Sequence, residues 1–122
     1  MTDEITLTLP RARDFQRVAH LVLGGLAVRL NFTVETLEDL QLALDSLLER
    51  EDADHAGDVT VRMTLGDDTL EATVGPLSRR VLDEIDEDAG DELRLRRVLE
   101  STVDEIHVDG DFVCLTKRVA GG

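Results

Sequence analysis

From residue 59 to residue 74 the sequence alternates apolar and polar residues in two runs, Val59, Val61, Met63, Leu65 and then Leu70, Ala72, Val74, separated by Gly66-Asp67-Asp68. A period of two marks a strand with one face in a core, and a turn sequence between two such runs predicts an antiparallel hairpin. Its register is constrained, because a slip of one residue would move every apolar side chain to the solvent face. A sheet with one apolar face needs a second layer to cover it. The segments on either side of the hairpin supply that layer.

Ahead of the hairpin, Ile5, Leu7 and Leu9 alternate with threonines, which predicts a strand over 4–9 that Pro10 ends. Phe15, Val18, Ala19, Val22, Leu23, Leu26, Ala27 and Leu30 then recur at helical spacing, with Asp14 placed to cap the first turn. Gly24-Gly25 inside this helix weakens it by about 1 kcal/mol per glycine relative to alanine, and the pair predicts a tight helix–helix or helix–sheet contact there. Thr33 is placed to cap a second helix, whose core stripe is Leu37, Leu40, Leu44, Leu47 and Leu48 and which runs to about Arg50. The polar stretch 51–58, with Gly57, reads as a loop.

Beyond the hairpin, Pro76 suits a first helical turn, and Leu77, Val81, Leu82 and Ile85 form the stripe of a third helix. After the acidic run Asp86-Glu87-Asp88-Ala89-Gly90-Asp91-Glu92, a fourth helix carries Leu95, Val98, Leu99 and Thr102 or Val103. Ile106 and Val108 begin a strand that turns at Asp109-Gly110 and returns from Phe112 to Val119. The predicted order is strand, two helices, two strands, two helices, two strands. The fold class is α+β, a two-layer α/β sandwich with helices on one face of a mixed, mostly antiparallel sheet, in one domain spanning 1–122.

Composition limits the function classes. A formal net charge of −14 argues against nucleic acid and against anionic membrane, and favours a protein partner with a basic surface. No run reaches the roughly 20 apolar residues that span a bilayer, and the N-terminal residues lack the pattern of a signal peptide, so a cytoplasmic location is expected. Cys114 is the single cysteine and reads as a buried, inert thiol. His20, His55 and His107 have no second ligand at metal-binding spacing, and an EF-hand register from Asp86 puts Arg97 where the closing Glu belongs. No catalytic residue, metal or cofactor is assigned from these residues.

The stretch 32–45, FTVETLEDLQLALD, resembles the start of the second helix of the bacterial anti-sigma-factor serine kinases. Residues 58–74 and the close of the chain from Val103-Asp104-Glu105-Ile106-His107-Val108 onward resemble that family as well. The resemblance implies the fold of the gyrase, heat-shock chaperone, histidine kinase and mismatch-repair ATPases. It also implies three nucleotide motifs. Where the family has a Glu base and, four residues on, a magnesium-holding Asn, this sequence has Ser46 and Arg50, or Leu47 and Glu51 in a register shifted by one; Asn31 is its only asparagine. Where the family has Asp-x-Gly-x-Gly there is Val74-Gly75-Pro76-Leu77-Ser78-Arg79, and its glycine pair is replaced by Leu93-Arg94-Leu95-Arg96-Arg97.

The resemblance with these departures implies a pseudo-ATPase, not an enzyme, that binds a sigma factor or an anti-sigma antagonist without ATP. The alternatives are a small-molecule or anion sensor and a serine-protein kinase with displaced catalytic residues. Arg50, Arg79, Arg80, Arg94, Arg96 and Arg97 are the candidate anion contacts, which the resemblance places at the phosphate end of the pocket. Arg11, Arg13 and Arg17, flanking the first helix, are the candidate partner contacts. A homodimer is compatible with this reading.

Overall fold

A computed structural model describes residues 3–10, 16–30, 32–50, 57–66, 68–86 and 95–118. The elements run β1 (Asp3–Pro10), α1 (Gln16–Leu30), α2 (Val34–Arg50), β2 (Asp58–Leu65), β3 (Thr69–Gly75), α3 (Arg79–Asp86), α4 (Leu95–Thr102), β4 (Glu105–Asp109) and β5 (Phe112–Arg118). The proposed caps and turns at Asp14, Asn31, 51–56 and 87–92, like Arg11, Arg13, Arg94 and Val119, lie outside the described residues, as does the side chain of Arg50.

The five strands form one sheet in the order β1-β2-β3-β5-β4. Where the sequence allowed a mixed sheet, all four ladders are antiparallel. The predicted hairpin is present, with Val61 opposite Val74 and Leu65 opposite Leu70. Pro10 does not end β1 early, since it still pairs in register with Asp58 at the sheet edge, where a missing N–H is tolerated.

Alternation divides the sheet into two faces. Val59, Val61, Met63, Leu70, Ala72, Val74, Val113 and Leu115 are buried, and they join Leu23, Leu40, Leu44, Leu47, Val81, Ile85, Leu95 and Leu99 of the helices in one apolar cluster. Each buried Leu, Val or Ile contributes roughly 1.5–3 kcal/mol relative to exposure. α2 packs between α1 and α4, and α3 leans on α4.

Polar contacts set the ends of these elements. Thr33 caps α2 as expected, its Oγ1 accepting from the Thr36 N–H at 3.1 Å. Pro76 is not in the first turn of α3. The Leu77 N–H donates to the Asp111 carbonyl at 2.7 Å, which holds 76–78 as a link to the β4–β5 turn, and the helix starts after Ser78, whose Oγ accepts from the Val81 N–H at 3.4 Å. Gly110 has φ 63°, a backbone region that glycine enters without strain, at the tight turn between β4 and β5.

Two further expectations are corrected. A Cβ built on Gly24 or Gly25 would meet nothing within 4 Å, so no neighbouring element approaches there. The reason is helical phase, since α1 turns Ala19, Leu23, Leu26 and Ala27 inward and leaves Gly25 exposed. Cys114 is half-exposed and not buried, because its neighbours Val113 and Leu115 take the core face of β5 and send it to the other side.

Candidate protein-binding surface

The positions that the resemblance marks for nucleotide chemistry lie on α2, at the end of β3 and on α4. Ser46 is buried on α2, and Arg50 occupies the last position of that helix. Its neighbour Asp45 makes a contact that the sequence did not announce: the carboxylate Oδ1 lies 2.6 Å from Nε2 of His20 on α1. On the same helix Asp39 pairs with Lys117 of β5 at 3.1 Å, and the lysine side chain is only 16% exposed. α2 is thereby tied through polar groups to the helix beside it and to the sheet beneath it.

At the end of β3, Val74 and Gly75 are buried and Pro76 is exposed. A Cβ on Gly75 would fall 2.7 Å from Cγ and Cδ2 of Phe112 and 2.9 Å from the Asp111 carbonyl oxygen, so glycine is needed here for close packing between neighbouring strands. Leu95 opens α4 as a core residue.

Among the described residues the candidate arginines do not gather at one point. Arg79 begins α3 and pairs with Asp83 one turn on at 3.7 Å. Arg96 lies at the other end of that helix, its Nη1 donating to the Ile85 carbonyl at 2.8 Å with Glu100 3.8 Å from its Nε. Arg96 therefore satisfies a helix-end carbonyl, a role open to a cation near a C-terminus. Arg80 and Arg97 are exposed on their respective helices. Among the described residues no group of three or more His, Cys, Asp and Glu side chains is arranged to hold a metal ion. No helix among them is long and apolar enough to cross a membrane.

The outward face of α1 is unusual in another way. Leu21 is 75% exposed and Val28 85% exposed, with the exposed Gly25 between them and Arg17 one turn before Leu21. Residues 17, 21, 25 and 28 share one side of a helix. The result is two apolar side chains flanking a gap where backbone is accessible, bordered by a cation. The helical stripe of the sequence reading omitted Leu21 and Val28; apolar residues off the core stripe were the available signal.

No family model matches the chain. It is 27% identical to the serine-protein kinase RsbW of Listeria monocytogenes serovar 1/2a, over an alignment of 141 positions that covers 98% of this chain and 89% of that protein. Over 80 residues it is 34% identical to the serine-protein kinase RsbW of Listeria monocytogenes serotype 4a and to that of Listeria innocua serovar 6a, covering 61% of this chain and half of each relative. The chain is thus weakly homologous to serine-protein kinases of this kind. That finding overturns the expectation of a protein that is not an enzyme, because each of these relatives is named as a kinase. That expectation rested on missing side chains alone. Phosphoryl transfer asks of a protein mainly positioning and charge stabilisation, which different residues can supply.

Proposed function

We propose that this chain is a regulator of the anti-sigma serine-kinase kind that acts in the cytoplasm by binding a protein, either a sigma factor or the antagonist of an anti-sigma factor. The outward face of α1 is the contact surface in this reading. The observation that carries it is the exposure of Leu21 and Val28 on either side of the exposed Gly25, where a Cβ would meet none of the described residues within 4 Å. Aromatic and aliphatic anchors with a polar rim are what a protein partner uses, and a backbone gap between two such anchors admits a close-packed helix or loop. Arg17 stands at the rim, and Arg11 and Arg13 precede it in the sequence.

Phosphorylation of a protein serine is the reaction that the relatives' names bring to this reading, and a bound antagonist is the substrate that this reading assigns to it. With Ser46 and Arg50 at the compared positions, a nucleotide here would be held by other side chains than a Glu–Asn pair.

The test uses the purified chain and each sigma factor and antagonist protein of its source cell, with affinity measured by calorimetry. Replacing both anchors, Leu21→Asp with Val28→Asp, should weaken the complex by at least tenfold, since central apolar anchors dominate interface energetics. Both side chains are solvent-exposed, so the thermal melt should stay within a few degrees of the parent. Equal affinity of parent and double variant would remove α1 from the interface, and no binding to any of these proteins would end the reading.

A further inference from the structure

The sheet has a second face, opposite the helices, and it carries a half-open cavity of about 630 Å³. That volume is within the roughly 300–1,000 Å³ of small-molecule sites. Its floor is a cross-strand row, with Arg62 opposite Thr73, Thr73 opposite Cys114, and Cys114 opposite His107. With about 4.8 Å between neighbouring strands, the row spans roughly 14 Å. A second row beside it holds Thr60 opposite Gly75 and Phe112 opposite Asp109.

The chemistry is graded along the row. At the β2 end stand the Arg62 guanidinium and the hydroxyls of Thr60 and Thr73. In the middle is the Phe112 ring, packed across Gly75. At the β4 end stands the Asp109 carboxylate. Among the described residues Arg62 pairs with an exposed Glu4 oxygen at 3.8 Å, a distance and exposure at which a pair is readily exchanged for a better partner.

We propose that this groove binds a small, elongated aromatic acid with an N–H donor at its far end. The acid group is held by Arg62 and the threonine hydroxyls, the ring rests on Phe112, and the donor is accepted by Asp109. A guanidinium gives a carboxylate two parallel donors, and an aromatic face gives a planar ligand a stacking surface. The donor end matters because a chain of net charge −14 repels simple anions, and a ligand with only an acid group would meet Asp109 at its other end with nothing to offer. This site is on the opposite side of the sheet from α1 and stands independently of the protein-binding reading.

The probes are 4-aminohippurate, which has an acid, a ring and an amine along its length, and hippurate, which lacks the amine. Each is titrated into the whole isotope-labelled chain and followed by amide chemical shifts. Saturable shifts should concentrate on the strands around Arg62, Thr73, Cys114 and His107, with half-saturation by 4-aminohippurate at about 0.1–1 mM. Arg62→Gln should weaken both probes by about tenfold, as expected for a lost charge-assisted pair. Asp109→Asn should abolish the preference for 4-aminohippurate. Glu35→Gln, in the first turn of α2 on the helical side of the sheet, should change neither. No saturable shift up to about 10 mM, a range that already includes very weak binding, would overturn the site. So would shifts confined to the helices, or an Arg62→Gln variant that binds as the parent does; an Asp109→Asn variant that keeps the preference would overturn the assignment of the donor end.

Discussion

Gly75, at the end of β3, lies against the Phe112 ring of the neighbouring strand β5. In the sequence it counted only against a nucleotide motif, whereas in the fold it is the seat of the Phe112 ring. The ring and a backbone carbonyl both sit within 3 Å of where a methyl group would go, and the carbonyl cannot rotate away. Gly75→Ala should therefore lower stability by about 1–3 kcal/mol, the usual range for overpacking, as read from the urea unfolding midpoint. An unchanged midpoint would mean that the β5 strand yields freely at this point. The contact was not legible beforehand because alternation assigns faces, not the lean of a particular ring. The partial exposure of Cys114, read from the sequence as burial, was available there by parity, since Val113 and Leu115 claim the core face. The His20–Asp45 pair was not, because it depends on how two helices are rotated against each other.

Among the elements, α2 is the best specified by its sequence. Thr33, the leucine stripe and the length to Arg50 all agree with the observed helix, and its cap makes a direct test. Thr33→Ala should cost about 1 kcal/mol through the lost hydrogen bond to the Thr36 N–H, measured by chemical denaturation with the helix content at room temperature unchanged. An effect near zero would place the start of α2 under the control of packing alone. α1 was read less well. Its periodicity gave the core stripe correctly from Val18 to Ala27, the part that is described, but assigned Gly24-Gly25 to an internal contact, when no described side chain or backbone lies within 4 Å of a Cβ there and Gly25 faces outward. α3 began later than its apolar pattern suggested, because the Leu77 N–H is taken by the β4–β5 turn and is lost to the helix.

For the whole molecule, the α+β sandwich follows from two periodicities and their order along the chain, and the strand order adds what no pattern could give. The net charge of −14 bears on the protein-binding reading through long-range attraction of a basic partner. Association with the sigma factor or antagonist should slow several-fold between about 50 and 500 mM salt while dissociation changes less, because screening acts mainly on encounter. Stopped-flow mixing measures both rates, and an association rate indifferent to salt would remove electrostatic steering from the mechanism.

The register of β1 also has a consequence in time. Asp3 pairs with Leu65 and Pro10 with Asp58, so β1 has no partner in the sheet until both long helices and residues 51–57 after them have been made. Until then its alternating Ile5, Leu7 and Leu9 are exposed, and the entropy of closing so long a loop delays the pairing further. During synthesis the nascent chain thus passes through an interval in which a strand with an apolar face is open to capture by chaperones or by its neighbours on the same message.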